Sequence, residues 1–415
     1  MKEYSIVFPG QGSQYVGMGK NLYTHNSIAR EVFDEANDIL TFDLKKLCFE
    51  GDINELSKMN KVQAAILTTS VAAFRVFIQD IDYEPQYLLG HSLGEITSLV
   101  CTGAMDFADA LKLVCVRGEL MGDPSIEKGI MTAIMGVDED ILREICISVS
   151  KPKHIVEISN INSADQIIIS GHENAIDDVV RKIEDLGGRS IRINTGNPFH
   201  CRLMNPIKEK LREELLKYKY HDFKYPVISN LDAEIYKGKD EIVDRLSEQI
   251  VNSVRWKDSI SFLVKQGIYN LVELSPQSVL RNMLLTDDSG IKAYSYDDKY
   301  DFNEIKKIKY SITNDLQTSI EIKKEFIQRC VSGIICTKNE LKKEVSLDEY
   351  LIVGKMLTSI ENDGVEPSYE EMKYALESLI DTMKKKHTND GEYIDRISAV
   401  LYKTGLFNLF KEYIA

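Results

Sequence analysis

No two of the seven cysteines (Cys48, Cys101, Cys115, Cys146, Cys201, Cys330 and Cys336) stand at CxxC spacing, and none of the seven histidines falls at a metal-ligand spacing beside them. Free thiols in a reducing compartment, with no structural metal, are the expectation. The sequence also lacks any window approaching the roughly 20 consecutive apolar residues of a membrane span. Its first residues, MKEYSIVFPG, enter a strand-like apolar run at once, without a basic region or a cleavage site, so a cytoplasmic location is expected. Positive charge is in short supply: Lys and Arg total 51 against 65 Asp and Glu, for a formal net charge of −14. Phosphate repulsion therefore argues against nucleic acid or an anionic membrane as a partner, and an acidic protein partner would need a local basic patch. Neither an internal repeat nor a low-complexity segment is visible.

What is present is 415 residues with 43% hydrophobic content, enough for a large core and for two or more domains. Up to about residue 125, strand-like runs (SIVF, QYLLG) alternate with helical stretches (AREVFDEANDIL, VQAAILTTSVAAFRVFI, FADALKLVCVRGELMG). That alternation predicts an α/β fold with a parallel sheet and helices on its faces. After the DPSIEKG loop, MTAIMGV, HIVEISNI, QIIISGH and RSIRINTG read as strands, while DEDILREICISVS and ENAIDDVVRKIEDLG read as helices. The order βαββαβ is the ferredoxin-like unit, here a small subdomain inserted into the larger one. The expected layout is a catalytic α/β subdomain over 1–127 and 198–297, resuming near NPFH and running through YPVISNL and YNLVELSP. The small subdomain would cover 128–197, and a helical extension 298–415. The extension carries 18 basic and 21 acidic residues, so it is nearly neutral. Two capping boxes, Ser346 with Glu349 and Ser368 with Glu371 after Pro367, mark helix starts in it.

In QYLLGHSLGEIT, residues 86–97, Ser92 is flanked by Gly90 and Gly94 between a strand-like and a helix-like segment. GxSxG at such a junction is a nucleophile elbow: glycine permits a tight, strained turn that lifts the hydroxyl over the sheet's carboxyl edge, as in α/β-hydrolases. Backbone N–H groups at the start of the helix can stabilise an oxyanion. The alternative for the pattern alone is an ordinary strand-to-helix turn.

Around it stand FPGQGSQ (residues 8–14), YVGMGKNLY, GHSLGE, Gln63 in KVQAAILTTSVA, Arg117 in VRGELM, NINSADQIIISG, NPFHCRLM, and Gln249 with NSVRW. Together these segments resemble malonyl-CoA:acyl carrier protein transacylases and the discrete, trans-acting acyltransferases of polyketide synthases, over about residues 4–297. The resemblance implies that Ser92 takes the acyl group from the coenzyme A thioester, and that His200 is general base and then acid. It implies a backbone carbonyl near Gln249 orienting the imidazole, giving a Ser-His dyad, and an oxyanion hole from the N–H groups of Gln11 and Leu93. Arg117 lies in a helix with apolar residues on several sides, so its guanidinium needs a partner: Glu119 or another protein carboxylate, or the free carboxylate of a malonyl group. Gln63 falls among the substrate-binding positions. Leu93 after the nucleophile and Phe199 before the histidine match a malonyl-preferring pattern in which a bulky ring disfavours an α-methyl branch, and His91 shapes the pocket.

Three departures stand out. Met59, Val62 and Ala64 replace the threonines and proline usual around Gln63, Ser275-Pro276-Gln277 replaces Gly-Pro-Gly, and the extension runs more than 100 residues past SPQSVL. The resemblance implies malonyl-CoA and a holo acyl carrier protein bearing phosphopantetheine as substrates, with no bound cofactor. The extension suggests service in trans to a polyketide or hybrid megasynthase, and a monomer is the default. Rival readings are an acyl hydrolase that clears carrier-bound thioesters and a non-catalytic carrier-recruiting module.

Overall fold

The structure is a computed structural model that describes residues 4–81, 84–193, 196–285, 289–336, 367–385 and 396–401, with isolated positions between 352 and 413. The chain divides into two compact units, Met1–Lys309 and Tyr310–Ala415.

In the first unit, strands β1 (Ser5–Phe8), β2 (Leu88–Gly90), β7 (Val227–Ile228), β8 (Asn270–Glu273) and β9 (Lys292–Ser295) form a parallel sheet in the order β7-β2-β1-β8-β9. β1 lies at the centre, and all four of its residues are buried, as a strand covered on both faces requires. A second sheet is antiparallel, from β3 (Ile130–Met135), β4 (Val156–Ile161), β5 (Gln166–Gly171) and β6 (Arg189–Ile193) in the order β4-β5-β3-β6. Its helices Glu139–Val149 and Glu173–Asp185 follow β3 and β5. In the second of these, Ala175, Ile176, Val179 and Ile183 recur at the three- and four-residue spacing that puts one apolar stripe on a sheet. The β4 edge is tied to the larger sheet's part of the chain by the segment after Gln249. Ile161 N–H donates to Val254 O and Val254 N–H donates to Ser159 O, both at 2.9 Å.

The helix Met59–Ile81 corrects one expectation. A window within Met59–Asp80 has mean hydropathy 1.4, so by length and composition it is apolar enough to cross a membrane. Yet 83% of that window is buried inside the protein, and it carries Gln63, Thr68, Thr69 and Ser70 at zero exposure. It is the core helix of the first unit, and although short polar residues interrupt the apolar run its mean hydropathy stays high.

The sequence places the start of the helical extension at 298, whereas the compact units part at Lys309/Tyr310. The physical reason lies in the helix Lys299–Cys336, whose first turns belong to the first unit. There Asp301 accepts from Arg281 Nη2 and from Ser295 N–H, and Ile305 is buried in the main core.

In the second unit most of the described residues are helical. Phe326, Ile327 and Cys330 share a core with Met372, Leu376 and Leu379 of the helix Tyr369–Lys385. Phe410 stacks on Phe326 and on Tyr369, with centroids 5.3 and 5.4 Å apart. The Ser368–Glu371 capping box is formed in both directions, since Glu371 N–H donates to Ser368 Oγ and Ser368 N–H donates to Glu371 Oε2. The Ser346–Glu349 box and Cys336's side chain lie outside the described residues; the other six cysteines are free thiols.

Candidate active site

β1 and β2 pair in register, Phe8 opposite Gly90, and end together at the sheet's carboxyl edge. From β1 the chain enters the loop carrying Gln11; from β2 it turns through His91 and Ser92 into the helix Leu93–Cys101. The turn is too tight for side chains at its flanks. A Cβ on Gly90 would lie 2.0 Å from Gly94 O, and one on Gly94 would lie 2.1 Å from Phe8 O. Ser92 itself sits at φ 53, ψ −101, strained for a residue with a Cβ. Asn230, at the end of β7, holds that turn from below: Ser92 N–H donates to Asn230 Oδ1 at 2.7 Å, and Asn230 Nδ2 donates to Gly90 O at 2.7 Å.

Ser92 Oγ lies 2.8 Å from His200 Nε2, and His200 Nδ1 lies 2.9 Å from the carbonyl oxygen of Gln249. A carbonyl can only accept, so Nδ1 carries the proton and Nε2 presents its lone pair to the serine hydroxyl. His200 is buried, at φ 57. Burial first, then the positive charge of Arg117, push its pKa down to about 3, against the opposing pull of the Gln249 carbonyl. The imidazole is therefore neutral near pH 7, which is the form that can take the serine's proton.

Arg117 comes from the helix Phe107–Met121, and Gly118 lets that helix touch Met59: a Cβ there would sit 2.2 Å from Met59 O. Arg117 Nη1 donates to Gln63 Oε1 at 2.9 Å, and Nη2 donates to Ser92 Oγ at 3.0 Å and Gln249 Oε1 at 3.2 Å. Arg117 is 3% exposed, and burial lowers its pKa to about 10, so it stays charged at neutral pH. Glu119 is exposed, and among the described residues no carboxylate lies within ion-pairing distance of Arg117.

Behind these groups sits Glu95, fully buried. Its Oε2 accepts from Gln249 Nε2 at 2.7 Å and from Asn230 N–H at 3.0 Å, while Oε1 accepts from Tyr236 OH. Burial raises its pKa against these donors. Glu95 lies inside the GHSLGE motif, but no spacing in the sequence points to Glu95, Asn230 or Tyr236, and ISNLDAEIY carries no periodic signal.

A cavity of about 320 Å³ opens over the serine. Gln11, His91, Ser92, Leu93, Arg117, Phe199 and His200 line it, so the structure brings these candidates together. Gln63 and Gln249 lie behind the lining, in contact with Arg117 and His200. Leu93 is the first helical residue, so its N–H has no intrahelical acceptor. Gly10 brings the Gln11 loop against the elbow, where a Cβ on Gly10 would lie 2.5 Å from His91 O. Ser92 N–H is already taken by Asn230. Apolar walls come from β3 (Met131, Ala133), β5 (Ile168), β6 (Ile193) and the helix Val279–Leu285. His91 Nε2 lies 3.0 Å from Asn162 Oδ1, and burial lowers its pKa and keeps it neutral. A wider cleft of about 670 Å³ also reaches His200 and is lined by Arg143, Arg202 and Lys208, each paired with a glutamate. Among the described residues no cluster of His, Cys, Asp and Glu could hold a metal ion.

A family model described as an acyl transferase domain matches residues 5–292. A malonyl CoA-acyl carrier protein transacylase of Bacillus subtilis is 38% identical over 295 residues, covering 71% of this chain and 74% of that protein. The protein of the same name from Escherichia coli K12 is 37% identical over 285 residues, covering 68% and 92%. Among solved structures, a type II polyketide synthase acyl-carrier protein in complex with its malonyl-transacylase aligns with TM-score 0.70 at 34% identity, over 73% of this chain and 99% of that one. The malonyl CoA-acyl carrier protein transacylase of Clostridium perfringens aligns with TM-score 0.72 at 30% identity, over 76% and 99%. The chain belongs to the acyl transferase domain family. Within it the chain stands with the malonyl-CoA:acyl carrier protein transacylases, and it is an acyltransferase.

Proposed function

We propose that this enzyme moves a malonyl group from malonyl-CoA to the phosphopantetheine thiol of a holo acyl carrier protein, by a ping-pong route through an ester on Ser92. The observation that carries the choice of acyl group is Arg117, a buried, charged guanidinium with no carboxylate partner among the described residues, 3.0 Å from Ser92 Oγ. Such a cation, paired only with neutral amides and a hydroxyl, suits the free carboxylate of a malonyl group.

In the first half-reaction Ser92 Oγ attacks the thioester carbonyl while its proton passes to His200 Nε2. The N–H groups of Gln11 and Leu93 receive the oxyanion. The C–S bond breaks, the coenzyme A sulfur takes the proton back from His200, and malonyl stays on Ser92. In the second half-reaction the carrier's thiol gives its proton to His200, its sulfur attacks the ester, and Ser92 Oγ leaves with that proton. Burial is the main cause of the low His200 pKa and the Arg117 charge the second, so docking the malonyl carboxylate on Arg117 offsets that second contribution and strengthens the base. Gln249 O keeps the imidazole in the right tautomer, Gln63 supports Arg117, and Phe199 and His91 shape the acyl end of the cavity. The apolar walls keep water from the ester, which separates a transferase from a hydrolase.

We read the smaller sheet as a ferredoxin-like unit inserted in an α/β-hydrolase-like one, supported by its strand order. On this reading a catalytic α/β subdomain of 1–127 and 198–297 surrounds the small subdomain 128–197, and the helical extension follows. Work in trans for a polyketide or hybrid assembly line, as a cytoplasmic monomer, is the context we favour. The second unit beyond the family match and the similarity to the malonyl-transacylase of a type II polyketide synthase support the polyketide part of this reading.

The test is competition between malonyl-CoA and acetyl-CoA. Wild type should take malonyl by a wide margin, and Arg117→Ala should cut malonylation of Ser92 by at least roughly 100-fold while sparing acetylation, as loss of a charged hydrogen-bonded pair implies. Equal losses for both donors would sink the assignment of Arg117 to the carboxylate.

A further inference from the structure

We infer that Glu95 is a positioning residue for this reaction: it fixes Gln249, and through Gln249 both the His200 imidazole and the Arg117 guanidinium. The inference rests on the acyl-transfer reading and extends it to a residue which that reading leaves without a role.

Glu95 stands three residues after Ser92, on the first turn of the helix Leu93–Cys101, with no solvent exposure. A buried carboxylate persists where donors satisfy its oxygens and a cation stands near. Donors surround this one: Tyr236 OH, Asn230 N–H and Gln249 Nε2. Its cation is one amide away. Arg117 Nη2 donates to Gln249 Oε1 at 3.2 Å, and Gln249 Nε2 donates to Glu95 Oε2 at 2.7 Å. The amide therefore lies head to tail between a positive and a negative group. Turned over, it would set its NH2 against the guanidinium and its C=O against the carboxylate, and both contacts would repel. Charge on both sides thus dictates the orientation of the Gln249 side chain.

That side chain belongs to the residue whose backbone carbonyl receives His200 Nδ1 at 2.9 Å, and its Nε2 also donates to Ser92 O at 3.1 Å. A second arm runs through Asn230, whose N–H is held by Glu95 and whose side chain holds Ser92 N–H and Gly90 O. A serine-protease-type triad places the carboxylate on the histidine itself. Here a backbone carbonyl occupies that position, and the carboxylate acts one residue further back, on the carbonyl's owner. Replacing Glu95 by glutamine keeps the shape but sets an NH2 group among donors, so at least one contact must open.

The experiment is single-turnover malonylation of Ser92 followed by intact mass, for wild type, Glu95→Gln, Glu95→Asp and Tyr236→Phe, with melting curves alongside. A positioned general base contributes about 10²- to 10⁴-fold, so misaligning it should lower the Glu95→Gln acylation rate constant about tenfold or more. The amplitude, which counts folded active enzyme, should hold, and the loss should fall on kcat rather than KM. Glu95→Asp, which retains the charge, should recover part of the rate, and Tyr236→Phe should fall between. A folded Glu95→Gln with the wild-type rate constant overturns the inference, as does a loss confined to amplitude. If Glu95→Gln does not fold, Tyr236→Phe decides: a slower rate at full amplitude supports the role, and a wild-type rate overturns it. Wild type that takes no malonyl would instead sink the acyl-transfer reading, and with it this one.

Discussion

Ser92 keeps a left-handed backbone because Gly90 and Gly94 let three segments meet at the turn and because Asn230 takes up its N–H. Asn230→Ala should therefore leave buried backbone groups unpaired at a cost of about 1–3 kcal/mol each. A lowered urea midpoint together with slower Ser92 acylation would show it; a variant as stable as wild type would contradict it. The His200 pKa gives a second expectation. Held at about 3 by burial and then by Arg117, against an ordinary 6.5, the imidazole of the free enzyme stays neutral through the mildly acidic range. The acid limb of kcat/KM should lie below pH 6.5, and Arg117→Gln, which removes a like charge, should move it upward. The same shift sets a stability trend. The unfolded chain takes up this proton near pH 6.5 and the native chain does not until about 3, so the stability present above pH 6.5 is lost as pH falls through that window. Equilibrium unfolding at a series of pH values, with and without His200, checks the sign.

At the scale of elements, Gly118 decides how closely the helix Phe107–Met121 approaches the helix Met59–Ile81. A methyl there would fall 2.2 Å from Met59 O, so Gly118→Ala must separate the helices and carry Arg117 away from Gln63. The expected cost is about 1–3 kcal/mol, with malonylation hurt more than acetylation by acetyl-CoA. In the second unit Ser368→Ala removes one half of the capping box, at about 1 kcal/mol. That should lower the melting transition while leaving Ser92 acylation unchanged. Strands with strong patterning were legible: SIVF, QYLLG and the four runs of the smaller sheet all form strands where they were expected. β9 was not, because KAYS is only four residues, starts with an exposed lysine and shows no alternation. The Met59–Ile81 helix was read correctly as a helix, but its average apolarity was hidden by the threonines and glutamine that punctuate it.

For the whole molecule, the family match ends at residue 292, before the second unit begins. Removing Tyr310–Ala415 should therefore leave acylation of Ser92 by malonyl-CoA intact while weakening delivery to the native carrier, as seen by comparing it with an unrelated holo carrier. The groups that line the cavity over Ser92 were legible through the resemblance because motifs label them. The layer beneath was not, because Glu95, Asn230 and Tyr236 are joined by single hydrogen bonds across more than 130 residues, and such partners leave no spacing to read. The most direct measurement is intact mass of the full chain mixed with malonyl-CoA and then with holo carrier protein, beside Ser92→Ala. A malonyl adduct absent from the variant, which then passes to the carrier thiol, is the expected result. Free malonate released without a persistent adduct or a charged carrier would contradict it.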